Sequence, residues 1–153
     1  MIKEKTCSVT GHRILKKNFD LEALRSAFIN VINCGYDTFL TGMALGFDTV
    51  CFNTLNKLKS HYDIKIIACL PCADQDKFFN LKQKKEYLSC LEKADEIITL
   101  NQGYYEGCMH QRNKYLVDNS SLVIAYLNYN RGGTYQTVKY AVESGVKVLY
   151  FGK

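Results

Sequence analysis

Five segments, four of them combining glycine with polar or charged residues, form a pattern suited to holding an anion. They are Thr10-Gly11-His12-Arg13, Gly42-Met43-Ala44-Leu45-Gly46-Phe47-Asp48, Pro71-Cys72-Ala73-Asp74-Gln75, Gly107-Cys108-Met109-His110-Gln111-Arg112-Asn113 and Arg131-Gly132-Gly133-Thr134. Glycine lets backbone approach a ligand closely. Where such a loop opens a helix, free N–H groups and the positive helix end favour phosphate. Two segments run directly into helices, at Gly46-Phe47-Asp48 and at Gly132-Gly133-Thr134. Neither has the G-x-G-x-x-G spacing of a dinucleotide fold or the Gly-Lys-Ser/Thr of a P-loop, which disfavours an ordinary NAD enzyme and a P-loop ATPase.

Several side chains in these segments have two readings. Thr134 either donates to a phosphate or caps its helix. Arg112 and Asn113 fall on or beside the apolar face set by Met109, Leu116 and Val117, where polar groups need partners. Arg112 is either held internally, by a salt bridge or by snorkelling to the rim, or it reaches into a cleft as an anion clamp. His12 either donates to phosphate or is structural. Cys69-Leu70-Pro71-Cys72 has redox spacing, but Cys69 ends an apolar run instead of opening a helix, which argues against a thioredoxin-like site. Cys108 and His110 lack the spacing of a zinc site. No metal and no cofactor are expected.

The elements that must position these residues follow from periodicity. Strands are predicted at Thr6 to Thr10, Thr38 to Thr41, Ile64 to Leu70, Glu96 to Leu100, Leu122 to Leu127 and Val146 to Phe151. Between them lie helices. The first uses Leu21, Leu24, Phe28, Val31 and Ile32, the second Val50, Cys51, Thr54, Leu55 and Leu58, and the third, from Leu81 to Ala94, Leu81, Leu88 and Leu91. A fourth spans Met109 to Asn119, and a fifth, from about Tyr135 to Ser144, buries Val138, Ala141 and Val142. Six strands alternating with five helices imply a Rossmann-like α/β fold, a mostly parallel sheet with helices on both faces. Loops leaving the strand C-termini then share one rim, where ligands bind. Of ten glycines, Gly11, Gly42, Gly46, Gly103, Gly107, Gly132 and Gly133 lie on that rim, while Gly35 and Gly145 cap helices.

With 153 residues, 47% hydrophobic and 23% charged, the chain reads as one folded domain over residues 1–153, and disorder is excluded. No run approaches the roughly 20 apolar residues of a membrane span, and Met1 to Lys5 carries no apolar signal region. A cytoplasmic protein with reduced cysteines is expected. The net charge of +5 fits an anionic small ligand as well as nucleic acid.

Taken in order, the five segments resemble the SLOG superfamily, which groups the LOG proteins, the DNA-processing protein A domain and the YpsA-like proteins, with the likeness strongest to YpsA-like members. The resemblance implies a Rossmann-like domain, commonly a homodimer or higher homo-oligomer, whose cleft binds nucleotides or nucleotide-derived molecules such as ADP-ribose relatives. On this reading the ligand-binding residues are Gly11, His12, Arg13, Gly42, Met43, Ala44, Gly46, Asp48, Gln75, Arg112, Asn113, Arg131, Gly132, Gly133 and Thr134, with Tyr104 or Tyr105 stacking on the base. The LOG branch are phosphoribohydrolases with a Met-His-x-Arg-Lys motif and a glutamate after Pro-Gly-Gly-x-Gly-Thr. Met109-His110-Gln111-Arg112 matches the first motif, with Asn113 where lysine would stand. The second motif departs, because Arg131 replaces proline, one glycine is missing and Thr134 to Val138 offers no carboxylate. Hydrolysis of an N-glycosidic bond needs such a carboxylate, and Asp48 and Glu106 are the available substitutes. No catalytic residue is assigned.

The leading expectation is therefore a non-catalytic sensor or sequestering module for a phosphate-bearing nucleotide derivative. The alternative is phosphoribohydrolase or N-glycosidase activity on nucleoside monophosphates. Single-stranded DNA binding is a third, motivated by charge, eleven tyrosines and the DNA-processing relatives. The basic runs Lys16-Lys17 and Lys82-Gln83-Lys84-Lys85 read as solvated faces, so nucleic acid is not the expected partner.

Overall fold

The computed structural model describes residues 1–152. Strands β1 (Thr6–Gly11), β2 (Thr38–Thr41), β3 (Lys65–Leu70), β4 (Glu96–Thr99), β5 (Leu122–Tyr126) and β6 (Lys147–Tyr150) alternate with helices α1 (Leu21–Asn33), α2 (Phe47–Leu58), α3 (Leu81–Lys93), α4 (Cys108–Asp118) and α5 (Gly132–Glu143). The strands form one sheet in the order β4-β3-β2-β1-β5-β6. Every ladder in it is parallel. β2 and β5 are buried along their whole length, and β1 and β3 for all but one residue, as expected for β-branched and apolar runs covered on both faces. β4 and β6 are the edges and are largely exposed.

Helices α1, α2 and α3 cover one face over a core that includes Phe28, Phe39, Phe47 and Phe52. Each of these four rings is completely buried, and each contributes about 2–3 kcal/mol of apolar burial. Helices α4 and α5 cover the other face through Leu116, Val117, Val138 and Ala141 against Leu40, Ile67, Val123 and Ala125. The fold is a doubly wound, Rossmann-like α/β domain.

Two elements differ in detail from the periodic reading. Helix α3 turns Tyr87 and Cys90 inward and leaves Leu81 and Leu88 exposed. Its phase is set at the start by a capping box between Asn80 and Gln83 and by Tyr87, which packs edge-on against Phe79. Helix α5 begins at Gly132 and not near Tyr135, and Val142 lies on its exposed side. The glycine pair is thus the first turn of the helix and not a loop ahead of it.

The chain proceeds outward from β1 through β2 and β3 to β4, then crosses back to lay β5 against the opposite side of β1. Strand order therefore reverses between β1 and β5. In open parallel sheets the crevice beyond the strand C-termini at such a reversal is the ligand position.

Candidate ligand-binding cleft

A cleft of about 440 Å³ opens at that reversal. Thr10 to Ile14 form one wall at the end of β1, and Tyr129 and Arg131 to Thr134 form the opposite wall after β5. Ala44 and Asp48 from the β2–α2 segment and Met109, Arg112 and Asn113 from α4 complete it. Of the expected ligand residues the structure brings together Gly11, His12, Arg13, Ala44, Asp48, Arg112, Asn113, Arg131, Gly132, Gly133 and Thr134. Gly42, Met43, Gly46, Gln75 and Tyr105 do not line it.

The rim glycines divide by what fills the space of a missing Cβ. At Gly11 it is the Phe47 ring, at Gly42 the Arg112 guanidinium and at Gly46 the backbone carbonyl of Arg13. These three allow protein to pack against protein. Gly46 also has a φ of 84°, and the first N–H of α2, on Phe47, is consumed by the His12 carbonyl at 3.1 Å. The start of α2 therefore closes onto the β1 loop and spends its first donor there. Met43 next to it is buried at a φ of 58° and, with Gly46, lines a second cleft of about 450 Å³ towards α3.

The other terminus is open. A Cβ at Gly132 would meet nothing within 4 Å, and at Gly133 only the Asn113 amide nitrogen at 3.8 Å. No side chain caps α5: its N-cap is Arg131, in an extended conformation. Thr134 is buried in the first turn without capping it, and Thr137 donates to the Gly133 carbonyl, not to the free end. Among the described residues no loop carbonyl accepts from the N–H groups of Gly132, Gly133 or Thr134. An uncapped first turn leaves these donors for solvent or a ligand.

Arg112 is 4% exposed and already engaged. Its Nη1 donates to the carbonyls of Gly42 and Cys69, the latter at 3.4 Å, and to Gln75 Oε1 at 3.3 Å, while Nε donates to Asn113 Oδ1 at 2.9 Å. Gln75 returns a bond from Nε2 to the Gly42 carbonyl at 3.3 Å. The internal reading of Arg112 is the one observed, with carbonyls in place of a salt bridge, and Gln75 holds it from behind. Only the Arg112 edge that lines the cleft faces a ligand. Burial draws the guanidinium below the usual arginine range, and Asp48 opposes that shift.

Asp48 is the carboxylate of the cleft. Its Oδ2 accepts from the Ala44 N–H at 3.1 Å, but its Oδ1 is buried with no hydrogen-bond partner. Burial raises the Asp48 pKa to about 6, against the lowering effects of Arg112 and the Ala44 N–H. Glu106, the other substitute carboxylate, is exposed and outside the cleft.

His12 is structural in its bonding. Its Nε2 accepts from the Asn128 N–H at 2.9 Å, which ties the β1 loop to the β5 loop, and burial lowers its pKa. The ring is thus neutral and supplies no cation for phosphate. It stacks on Tyr129 at 3.9 Å between centroids, and the Arg131 guanidinium sits 4.9 Å from the same ring. Tyr129 is the aromatic side chain of the cleft. Tyr105 instead donates to Gln111 at 2.6 Å, and Tyr104 sits beside Lys77. Tyr129 was legible only as the residue three positions before Gly132, with no periodic signal of its own.

The Cys69/Cys72 pair carries no activated thiolate. Burial pushes Cys69 up to about 12 and Cys72 up to about 11. Among the described residues no group of three or more His, Cys, Asp or Glu is placed to hold a metal ion. No helix of the described residues is long and apolar enough to cross a membrane.

The YpsA family model, described as a YspA SLOG family, matches residues 11–148. The chain belongs to this SLOG family. It is 32% identical over 116 residues to the uncharacterized SPbeta prophage-derived protein YoqJ of Bacillus subtilis strain 168, covering 67% of this chain and 68% of that one. It is 27% identical over 127 residues to UPF0398 protein BH1768 of Halalkalibacterium halodurans, covering 81% of this chain and 65% of that one. Among solved structures it superposes on DNA processing protein A of Streptococcus pneumoniae with a TM-score of 0.73 at 20% identity, over 97% of this chain and 50% of that one. It also superposes on the Helicobacter pylori protein of that name, described for its single-stranded DNA binding mode, with a TM-score of 0.69 at 16% identity. That match covers 97% of this chain and 65% of the other. The chain thus spans half to two-thirds of these neighbours, and at such identities the likeness is one of fold.

Proposed function

We propose that this SLOG domain binds a phosphate-bearing nucleotide or nucleotide-derived small molecule, of the ADP-ribose kind, as a sensor or sequestering module. The observation that carries the reading is the uncapped first turn of α5, whose glycine N–H groups open onto the cleft at the strand-order reversal. Arg13 and Arg131 line the same cleft and add positive potential, and Tyr129, its faces held by His12 and Arg131, offers a ring edge to a base. A cleft of about 440 Å³ is in the range of small-molecule sites.

Isothermal titration calorimetry against nucleoside monophosphates, dinucleotides, ADP-ribose and cyclic ADP-ribose isomers tests it. At least one saturable binder is expected, and silence across the panel removes the reading. Hydrolysis of nucleoside monophosphates or NAD remains the enzymatic alternative, because Asp48 supplies a cleft carboxylate absent from the α5 segment; chromatography for released free base decides it. All seven cysteines are free thiols, which supports a reducing, cytoplasmic setting. A homo-oligomer is supported by exposed Val142 and Leu149 near the β6 edge, and light scattering measures it.

A second reading is single-stranded DNA binding. It is favoured by the fold likeness to the H. pylori protein, which weighs against the expectation that nucleic acid is not the partner. An oligonucleotide gel shift with steep salt dependence would establish it.

A further inference from the structure

We infer that Asp48 reads the sugar of the bound nucleotide, accepting a hydrogen bond from a ribose hydroxyl and so selecting ribonucleotides over their deoxy counterparts. This inference rests on the proposed phosphate-nucleotide site. Asp48 and the α5 first turn line the same cleft, so a ligand with its phosphate on Gly132 to Thr134 shares that space with the Asp48 carboxylate. The carboxylate is not consumed by the protein. One oxygen holds the Ala44 N–H at 3.1 Å, and the other has no partner although the residue is only 6% exposed. An unpaired buried acceptor is costly. The nearby cation does not relieve it: Arg112 Nη1 and Nε donate to Gly42, Cys69, Gln75 and Asn113, Nη2 contacts the Met109 sulfur at 3.7 Å, and none of them bonds Asp48 Oδ1.

The missing partner must be a donor. A phosphate oxygen, a carbonyl or a thioether cannot serve, whereas a hydroxyl or an amine can. Within a nucleotide the ribose hydroxyls are such donors, and they are present whatever the base. A single-stranded DNA chain lacks the 2′-hydroxyl and has its 3′-oxygen esterified, so it offers Asp48 no sugar donor except at a 3′ end.

The test compares sugar pairs on the full chain by calorimetry: each nucleoside 5′-monophosphate against its 2′-deoxy and 3′-deoxy forms, and ribose 5-phosphate against 2-deoxyribose 5-phosphate. Removing the hydroxyl that Asp48 accepts is expected to weaken binding about ten- to hundred-fold, the usual worth of a hydrogen bond to a charged group. In Asp48→Asn, which keeps the shape, the ribo and deoxy forms are expected to bind within two-fold of each other. A purely structural Asp48 would change stability in that variant and leave the sugar preference intact. Equal binding of every ribo and deoxy pair by the unmodified protein overturns the inference without needing any variant, while leaving the phosphate site standing. If no compound of either series binds, the nucleotide reading falls and this inference falls with it.

Discussion

Replacing Gly133 with aspartate should strengthen the fold and abolish the ligand site. Gly133 lies in the first turn of α5, is not among the glycines with positive φ, and has room for a side chain. Exchanging glycine for aspartate in a helix recovers about 0.3 kcal/mol of propensity. A carboxylate in the first turn gains about 0.3–1 kcal/mol from the helix dipole. The sum is about 1 kcal/mol, which for this chain length raises Tm by about 2–4 °C. The same carboxylate would sit about 5 Å from a phosphate held on the turn. At an effective dielectric constant near 20 the repulsion is about 3 kcal/mol, roughly two orders of magnitude in Kd. Differential scanning fluorimetry and calorimetry read the two effects separately. Gly133→Ala is the control: it takes the stability gain without the charge and should bind within a few-fold of the unmodified protein. Binding by Gly133→Asp at the unmodified affinity would refute the placement of phosphate on α5, and a Tm loss of several degrees would refute the open space at Gly133.

Three further outcomes follow from the same geometry. Gly46→Ala places a Cβ against the Arg13 carbonyl at a φ of 84°, and it should cost about 3 kcal/mol and lower Tm by about 10 °C in thermal melts. Arg112→Met removes the donors to the Cys69 carbonyl and Gln75 Oε1 and leaves the Gly42 carbonyl only its bond from Gln75, a loss of about 3–5 kcal/mol by chemical denaturation; carbon NMR should show the Asp48 carboxyl titrating above 6 once its lowering cation is gone. Asp48 titrates near 3.8 unfolded and about 6 folded, so the native state binds the extra proton between those values and stability falls as pH rises through that window. Asp48→Asn should therefore raise stability by about 3 kcal/mol at pH 7.5 and by almost nothing at pH 3.5, and an equal effect at both would refute the strained carboxylate.

The sequence carried the fold because its signals are local and repeated. Alternation of β-branched runs with helical spacing, closed by Gly35 and Gly145, is enough to imply a parallel doubly wound sheet. Rim membership was legible too, since every strand-to-helix loop of such a sheet emerges on one side. What each rim residue faces was not legible, because it depends on contacts between segments far apart in the chain. Gly42 and Gly46 look like ligand glycines until Arg112, 70 residues on, and Arg13 are seen to fill their Cβ space. Tyr129 could not be preferred over Tyr104 or Tyr105, because stacking on His12 is set by the pairing of β1 with β5. Asp48 was recognised as a spare carboxylate, but its unpaired oxygen is a property of packing.

The most direct measurement of the central claim is a ¹⁵N–¹H correlation spectrum of the full chain, titrated with the nucleotide that binds in calorimetry. Glycine amides resolve well in such spectra, and their environments here divide the molecule. The Gly132 and Gly133 amide resonances should move to saturation with the calorimetric Kd, while those of Gly35 and Gly145, at helix C-terminal ends, stay in place. Saturation with the Gly132, Gly133 and Thr134 amides unmoved would contradict it.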